Sequence, residues 1–155
     1  MLNATQTTAN KIQPTPPLET YDDLSAGRDT ILVVEDEAFV REAACDILES
    51  EGYRVLRACN AGEALAAFHR QQGCVQLLLS DIVLPGQNGP ALAKDLRLAC
   101  PTLKAIFISG YPENTLTRYS LGEGQMSYLP KPFSAEALLD NVRRALQPEE
   151  QQIFL

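Results

Sequence analysis

The chain has 155 residues, 45% hydrophobic and 21% charged, which suits one soluble domain with a sizeable core. Its formal net charge of -7 disfavours non-specific attraction to nucleic acid or to an anionic membrane surface. No apolar run approaches the roughly 18 residues of a spanning helix, and the N-terminus has no signal-peptide h-region, so no membrane role and a cytoplasmic location are expected.

In chain order, residues 1–28 have few large apolar side chains and include Pro14-Thr15-Pro16-Pro17, which favours an extended conformation; they read as a disordered N-terminal arm. A folded domain is expected over residues 29–147. Ile31 to Val34 form a first buried strand, followed directly by Glu35-Asp36-Glu37. Val40, Ala43, Ala44, Ile47 and Leu48 then fit the inward stripe of an amphipathic helix that Gly52 ends. Tyr53 to Ala58 is a short strand. Asn60-Ala61-Gly62-Glu63 resembles a capping box and opens a helix through Ala64, Leu65 and Phe68.

The run Val75 to Ser80 reads as the central strand and delivers a single carboxylate, Asp81, into a loop closed by Pro85-Gly86. Asn88-Gly89-Pro90 starts a third helix that turns Leu92, Leu96 and Ala99 inward. Lys104 to Ser109 is a fourth strand. Glu113 to Gly122 is a helix weakened by Thr115, Thr117 and Gly122. Met126 to Leu129 is the last strand, and Ser134 caps a final helix through Leu138, Leu139, Val142 and Leu146. Residues 148–155 are a tail, polar until Ile153-Phe154-Leu155. Cys45, Cys59, Cys74 and Cys100 lack metal-ligand spacing and read as reduced, mostly buried small apolar residues. His69, the single histidine, reads as a solvated surface residue of the second helix.

Five strand–helix units over residues 30–146 imply an α/β fold, with a parallel sheet wrapped on both faces by helices. The doubly wound strand order 2-1-3-4-5 puts strands one and three side by side, which brings Glu35 and Asp36 next to Asp81. Carboxylates about 4 Å apart repel by roughly 4 kcal/mol per pair at an effective dielectric of 20, so the cluster calls for a cation. An all-oxygen pocket suits a hard divalent ion such as Mg²⁺, and Mg²⁺ in turn points to a phosphoryl substrate. Strand four ends at Ser109-Gly110, a hydroxyl beside a residue too small to block access. Strand five runs into Lys131-Pro132-Phe133, a cation for a phosphoryl oxygen. Taken singly, the acidic trio could be a charged first helical turn and Asp81 with Pro85-Gly86 a plain turn. Four such loops in order, each at a strand's carboxyl end, outweigh those readings.

The stretches Glu35-Asp36-Glu37, Ser80-Asp81-Ile82-Val83-Leu84-Pro85 on to Gly89, Ile108-Ser109-Gly110-Tyr111 and Lys131-Pro132-Phe133 resemble the receiver domain of two-component response regulators, from about Thr30 to Leu146. Ile108-Ser109-Gly110-Tyr111-Pro112 is similar to receivers attached to hybrid histidine kinases. The resemblance implies a flavodoxin-like (βα)₅ fold and transfer of a phosphoryl group to Asp81 from a histidine kinase or histidine phosphotransfer protein. It implies Mg²⁺ bound by Asp36, Asp81 and the Val83 backbone carbonyl, with Glu35 acting mainly through a metal-bound water. Ser109 takes the hydroxyl switch position beside Gly110, Lys131 pairs with the phosphate, and Tyr128 matches the aromatic switch. The bond before Pro132 is expected cis. Glu35 and Ser109 depart from the commoner Asp and Thr of the family. The output is a downstream protein partner, and the domain would catalyse only its own phosphotransfer and dephosphorylation. Two other classes compete: a phosphorylation-independent interaction module on the same fold, and a Mg²⁺-dependent phosphohydrolase, for which Val83 stands where a carboxylate would be needed.

Overall fold

The computed structural model describes residues 28–111 and 126–148. The expected helix at 113–122, all but the last residue of the 1–28 arm and all but the first of the 148–155 tail lie outside the described residues. The elements in order are β1 (Thr30–Val34), α1 (Ala38–Ser50), β2 (Arg54–Ala58), α2 (Ala61–Arg70), β3 (Leu77–Asp81), α3 (Gly89–Ala99), β4 (Lys104–Ser109), β5 (Met126–Pro130) and α4 (Ala135–Leu146). The strands form one sheet of order β2-β1-β3-β4-β5, every neighbouring pair parallel, as the sequence led us to expect.

Strand residues alternate between two faces, and here both faces are covered, which is why β1 and β3 read as unbroken apolar runs. Leu32, Val34, Leu78 and Phe107 pack with α2 and α3 through Phe68 and Leu92. Ile31, Val33, Leu77 and Leu79 pack on the other face with α1 and α4 through Leu48 and Val142. No helix among the described residues is long and apolar enough to cross a membrane.

The helices begin where the sequence places caps. Asn60 Oδ1 accepts from the Glu63 N–H at 2.8 Å, Asn88 Oδ1 from Ala91 at 2.7 Å and Ser134 Oγ from Ala137 at 3.0 Å. The box at α2 closes one residue early, because Glu63 reaches back to the Cys59 N–H at 2.9 Å and not to that of Asn60. Helix α1 ends at Gly52, whose φ of 99° is the left-handed turn that favours glycine.

Three burial expectations are corrected. In α1 the buried residues are Ala44, Cys45 and Leu48, while Ala43 is exposed. Ala44 and Leu48 are buried and Val40 and Ile47 half-buried, as expected; Cys45 takes the place of Ala43, and half-buried Arg41, which an apolar template passes over, joins the same side. In α3, Ala93 is buried in place of Ala99, which sits in the last turn and is exposed. All four cysteines are free thiols, but only Cys45 is buried; Cys59 and Cys100 are half-buried and Cys74 is exposed. His69 is exposed, as expected, and meets the Phe68 ring edge-on.

Candidate functional site

Parallel pairing sets the ends of four strands level at one edge. Val34 pairs with Ser80, Asp81 with Ile108 and Ser109 with Pro130, so the residues that follow or close β1, β3, β4 and β5 open onto the same space. Glu35, Asp81, Ser109 and Lys131 converge there.

Lys131 Nζ lies 3.1 Å from Asp81 Oδ2 and 3.1 Å from Glu35 Oε1. The Asp81 contact is an aligned hydrogen bond; the Glu35 contact is an ion pair without that alignment, so the buried Oε1 has no hydrogen-bond partner. Asp36 completes an acidic cluster in which Glu35, Asp36 and Asp81 each offer an oxygen within 4.8 Å of the others. Glu35 is only 1% exposed, and burial, followed by the Asp81 charge, pushes its carboxyl up to about 7 from the ordinary 4.5. The Glu37 N–H and Lys131 act in the opposite sense. Burial on its own would lower the Lys131 ammonium, but Asp81 and Glu35 outweigh it and raise it above its ordinary value.

One ammonium cannot neutralise three carboxylates. A buried carboxylate oxygen without a hydrogen bond, in an all-oxygen donor set, fits a hard divalent cation.

The backbone around Asp81 is built to close tolerances. Its carbonyl accepts the Ser80 hydroxyl at 2.8 Å, and its Oδ1 accepts the Val83 N–H at 3.3 Å. The Gly89 N–H donates to the Ile82 carbonyl at 2.8 Å, which seats the start of α3 against the end of β3. A side chain at Gly89 would run into the Asp81 carbonyl and the Ser80 hydroxyl. On the other side, buried Ser109 accepts the Tyr111 N–H at its Oγ at 2.9 Å, and its carbonyl accepts the Lys131 N–H at 2.8 Å. Tyr128 donates its hydroxyl to the Tyr111 carbonyl at 2.8 Å. One peptide segment thus ties Ser109 to Tyr128, a link the sequence did not disclose. Gly110 faces open space, and the Lys131-Pro132 bond is cis.

The structure therefore brings together Glu35, Asp36, Asp81 and Lys131, with Ser109, Gly110 and Tyr128 beside them. Sequence reasoning missed Arg41, whose Nη1 donates to the Glu35 carbonyl at 2.8 Å. A signal existed, since a basic residue in the first turn of a helix stands at the wrong end of the macrodipole.

A doubly wound parallel sheet with an acidic cluster and a lysine at its carboxyl edge defines a receiver-type domain. Residues 31–143 match the family model of the response regulator receiver domain, and the chain belongs to that family. It is similar to sensor kinase CckA of Brucella abortus (strain 2308), 38% identical over 133 residues, which cover 86% of this chain and 14% of the kinase. The chain thus corresponds to a small part of that relative's length. Among solved structures it resembles the receiver domain of hybrid histidine kinase CckA, with 38% identity and a TM-score of 0.66 over 76% of this chain and 99% of that one. It also resembles a CheY-like receiver domain protein from Methanospirillum hungatei JF-1, with 32% identity and a TM-score of 0.71 over 81% and 99%. The chain is a receiver domain of two-component signalling.

Proposed function

We propose that this receiver accepts a phosphoryl group on Asp81 from the phosphohistidine of a histidine kinase or phosphotransfer protein, in the cytoplasm and with Mg²⁺ as cofactor. The observation that carries the reading is Asp81 itself, at a strand's carboxyl end, 3.1 Å from Lys131 and within 4.8 Å of two further carboxylates. In the transfer the P–N bond to the donor imidazole breaks and a P–O bond to the Asp81 carboxylate forms; a proton on the other ring nitrogen of the phosphohistidine lets the imidazole leave neutral.

Asp36, Asp81 and the Val83 carbonyl would hold the ion directly, with Glu35 reaching it through water. When bound, Mg²⁺ neutralises charge on the phosphoryl oxygens. Lys131 pairs first with the free carboxylate and then with a phosphoryl oxygen. Phosphorylation adds about -1.5 to -2 charge and new acceptor oxygens. Ser109 turns to donate to one of them and gives up the Tyr111 N–H. Tyr128, bonded to the carbonyl of the same residue, follows, and a protein partner reads the altered face. Charge-assisted bonds of roughly 1.5 to 3 kcal/mol each can supply the 5.5 kcal/mol or so that carries a switch from 1:99 to 99:1.

Beryllium fluoride with Mg²⁺ tests the reading. Amide shifts are expected at Ser109, Tyr111 and Tyr128 in the native chain and not in Asp81→Asn. Shifts that persist after that substitution, or a native chain that gains no phosphoryl group from acetyl phosphate and Mg²⁺, would sink it.

A further inference from the structure

Asp36 is the exposed member of the acidic cluster, and among the described residues its carboxylate makes no hydrogen bond or ion pair. Its position is inherited from the backbone on either side. The flanking residues are held. The Glu35 N–H donates to the Ala58 carbonyl at 3.1 Å, and Glu35 Oε2 accepts the Glu37 N–H at 3.2 Å. Helix α1 adds no side-chain cap of its own, since its N-cap residue Glu37 makes no capping hydrogen bond. The Arg41 N–H holds the Glu37 carbonyl at 2.9 Å as α1 begins, and the Arg41 guanidinium adds a side-chain restraint, its Nη1 donating to the Glu35 carbonyl at 2.8 Å, across the peptide that leads into Asp36.

Two features set Arg41 apart from a solvated surface arginine. Its side chain is 19% exposed, because it lies on the inward side of α1. Its charge also stands in the helix's first turn, where the macrodipole disfavours a cation, and its ion pair with the adjacent Glu42 is a loose 3.5 Å. Without that donor the Glu35 carbonyl loses its charge-assisted hydrogen bond, and the loop from Glu35 to Glu37 is fixed at one point fewer.

We propose that Arg41 is a positioning residue for the divalent cation: through the Glu35 carbonyl it fixes the loop that presents Glu35 and Asp36. The proposal rests on the metal-dependent reading above and adds a residue to it. Partners of metal ligands one layer out are commonly worth about 10- to 100-fold in affinity, and a single bond to a carbonyl belongs at the lower end.

The test is a Mg²⁺ titration of the ¹⁵N-labelled full chain, followed by amide shifts, for the native protein, Arg41→Met and Arg41→Lys. Methionine keeps an unbranched stem and removes the donor; lysine keeps one cationic donor. The Mg²⁺ Kd is expected to rise about tenfold in Arg41→Met, with Arg41→Lys between the two. In metal-free Arg41→Met, the Asp36 amide nitrogen should also shift, because its peptide carbonyl has lost a hydrogen bond. Native affinity in Arg41→Met overturns the role of Arg41 and leaves the phosphoryl reading standing. Should that variant not fold, Arg41→Lys decides, and native affinity there overturns the proposal. A native chain that takes up no Mg²⁺ overturns both.

Discussion

At the scale of single residues, two side chains next to the acceptor stand exposed. Val83 is 45% exposed and Tyr111 is 56% exposed, and each is joined through its backbone N–H to Asp81 or Ser109. The Val83 side chain has no polar atom with which to hold a water in line for attack on a phosphorylated Asp81, so the acyl phosphate should be long lived for a receiver. Val83→Asn supplies a polar group at that point and is expected to shorten the lifetime several-fold. The check is the decay of phosphorylated protein after donor is removed, and an unchanged decay would count against the idea. Lys131 works differently: it already holds Asp81 at 3.1 Å before any phosphate arrives, so the site waits in a charged, hydrogen-bonded state.

At the scale of elements, the junction between β3 and α3 has the least room. Asn88 caps α3, Gly89 donates to the Ile82 carbonyl, and the Gly89 Cα sits so close to the Asp81 carbonyl that no side chain fits. Backbone cannot give way as a flexible side-chain tip can. Gly89→Ala is therefore expected to cost about 1–3 kcal/mol, seen as a lower thermal midpoint, and to slow phosphorylation by displacing Asp81. Asn88→Ala serves as the comparison, with a loss of about 1 kcal/mol from the cap and a smaller effect on phosphorylation. Equal effects on phosphorylation would show that the tight approach at Gly89 has no bearing on the acceptor.

At the scale of the whole molecule, the site is held against the preference of the fold. In the metal-free chain the Glu35 carboxyl is raised to about 7 from 4.5, chiefly by burial and then by the Asp81 charge. The folded state therefore binds more protons than the unfolded state between those values, and stability rises as pH falls through that window. Above about pH 7 the penalty is present in full. Glu35→Gln removes it, so metal-free stability near pH 8 should rise by on the order of 1 kcal/mol, with weakened Mg²⁺ binding as the cost. Urea unfolding with chelator at pH 8 and near pH 6 provides the measurement. A slope against pH as steep in Glu35→Gln as in the native chain would refute the assignment.

Strand order, the strand ends that meet at one edge, the caps Asn60 and Ser134, the start of α3 and the residues Glu35, Asp36, Asp81, Ser109 and Lys131 that meet at that edge were legible in the sequence. They follow from short-range patterns: unbroken apolar runs, punctuation by Gly, Pro and Asn, and polar residues placed directly after the runs. On α1 one position was misassigned, because an apolar template puts Ala43 inward and skips Arg41, whereas packing buries Cys45 beside the expected Ala44 and Leu48. The bond from Arg41 to the Glu35 carbonyl, the Tyr111 backbone that bonds both Ser109 and Tyr128, and the close approach of Gly89 to Asp81 were decided only in the tertiary structure. The reason is physical. Periodicity records which side of an element faces a core, while a hydrogen bond to a particular carbonyl depends on how separate elements are packed together.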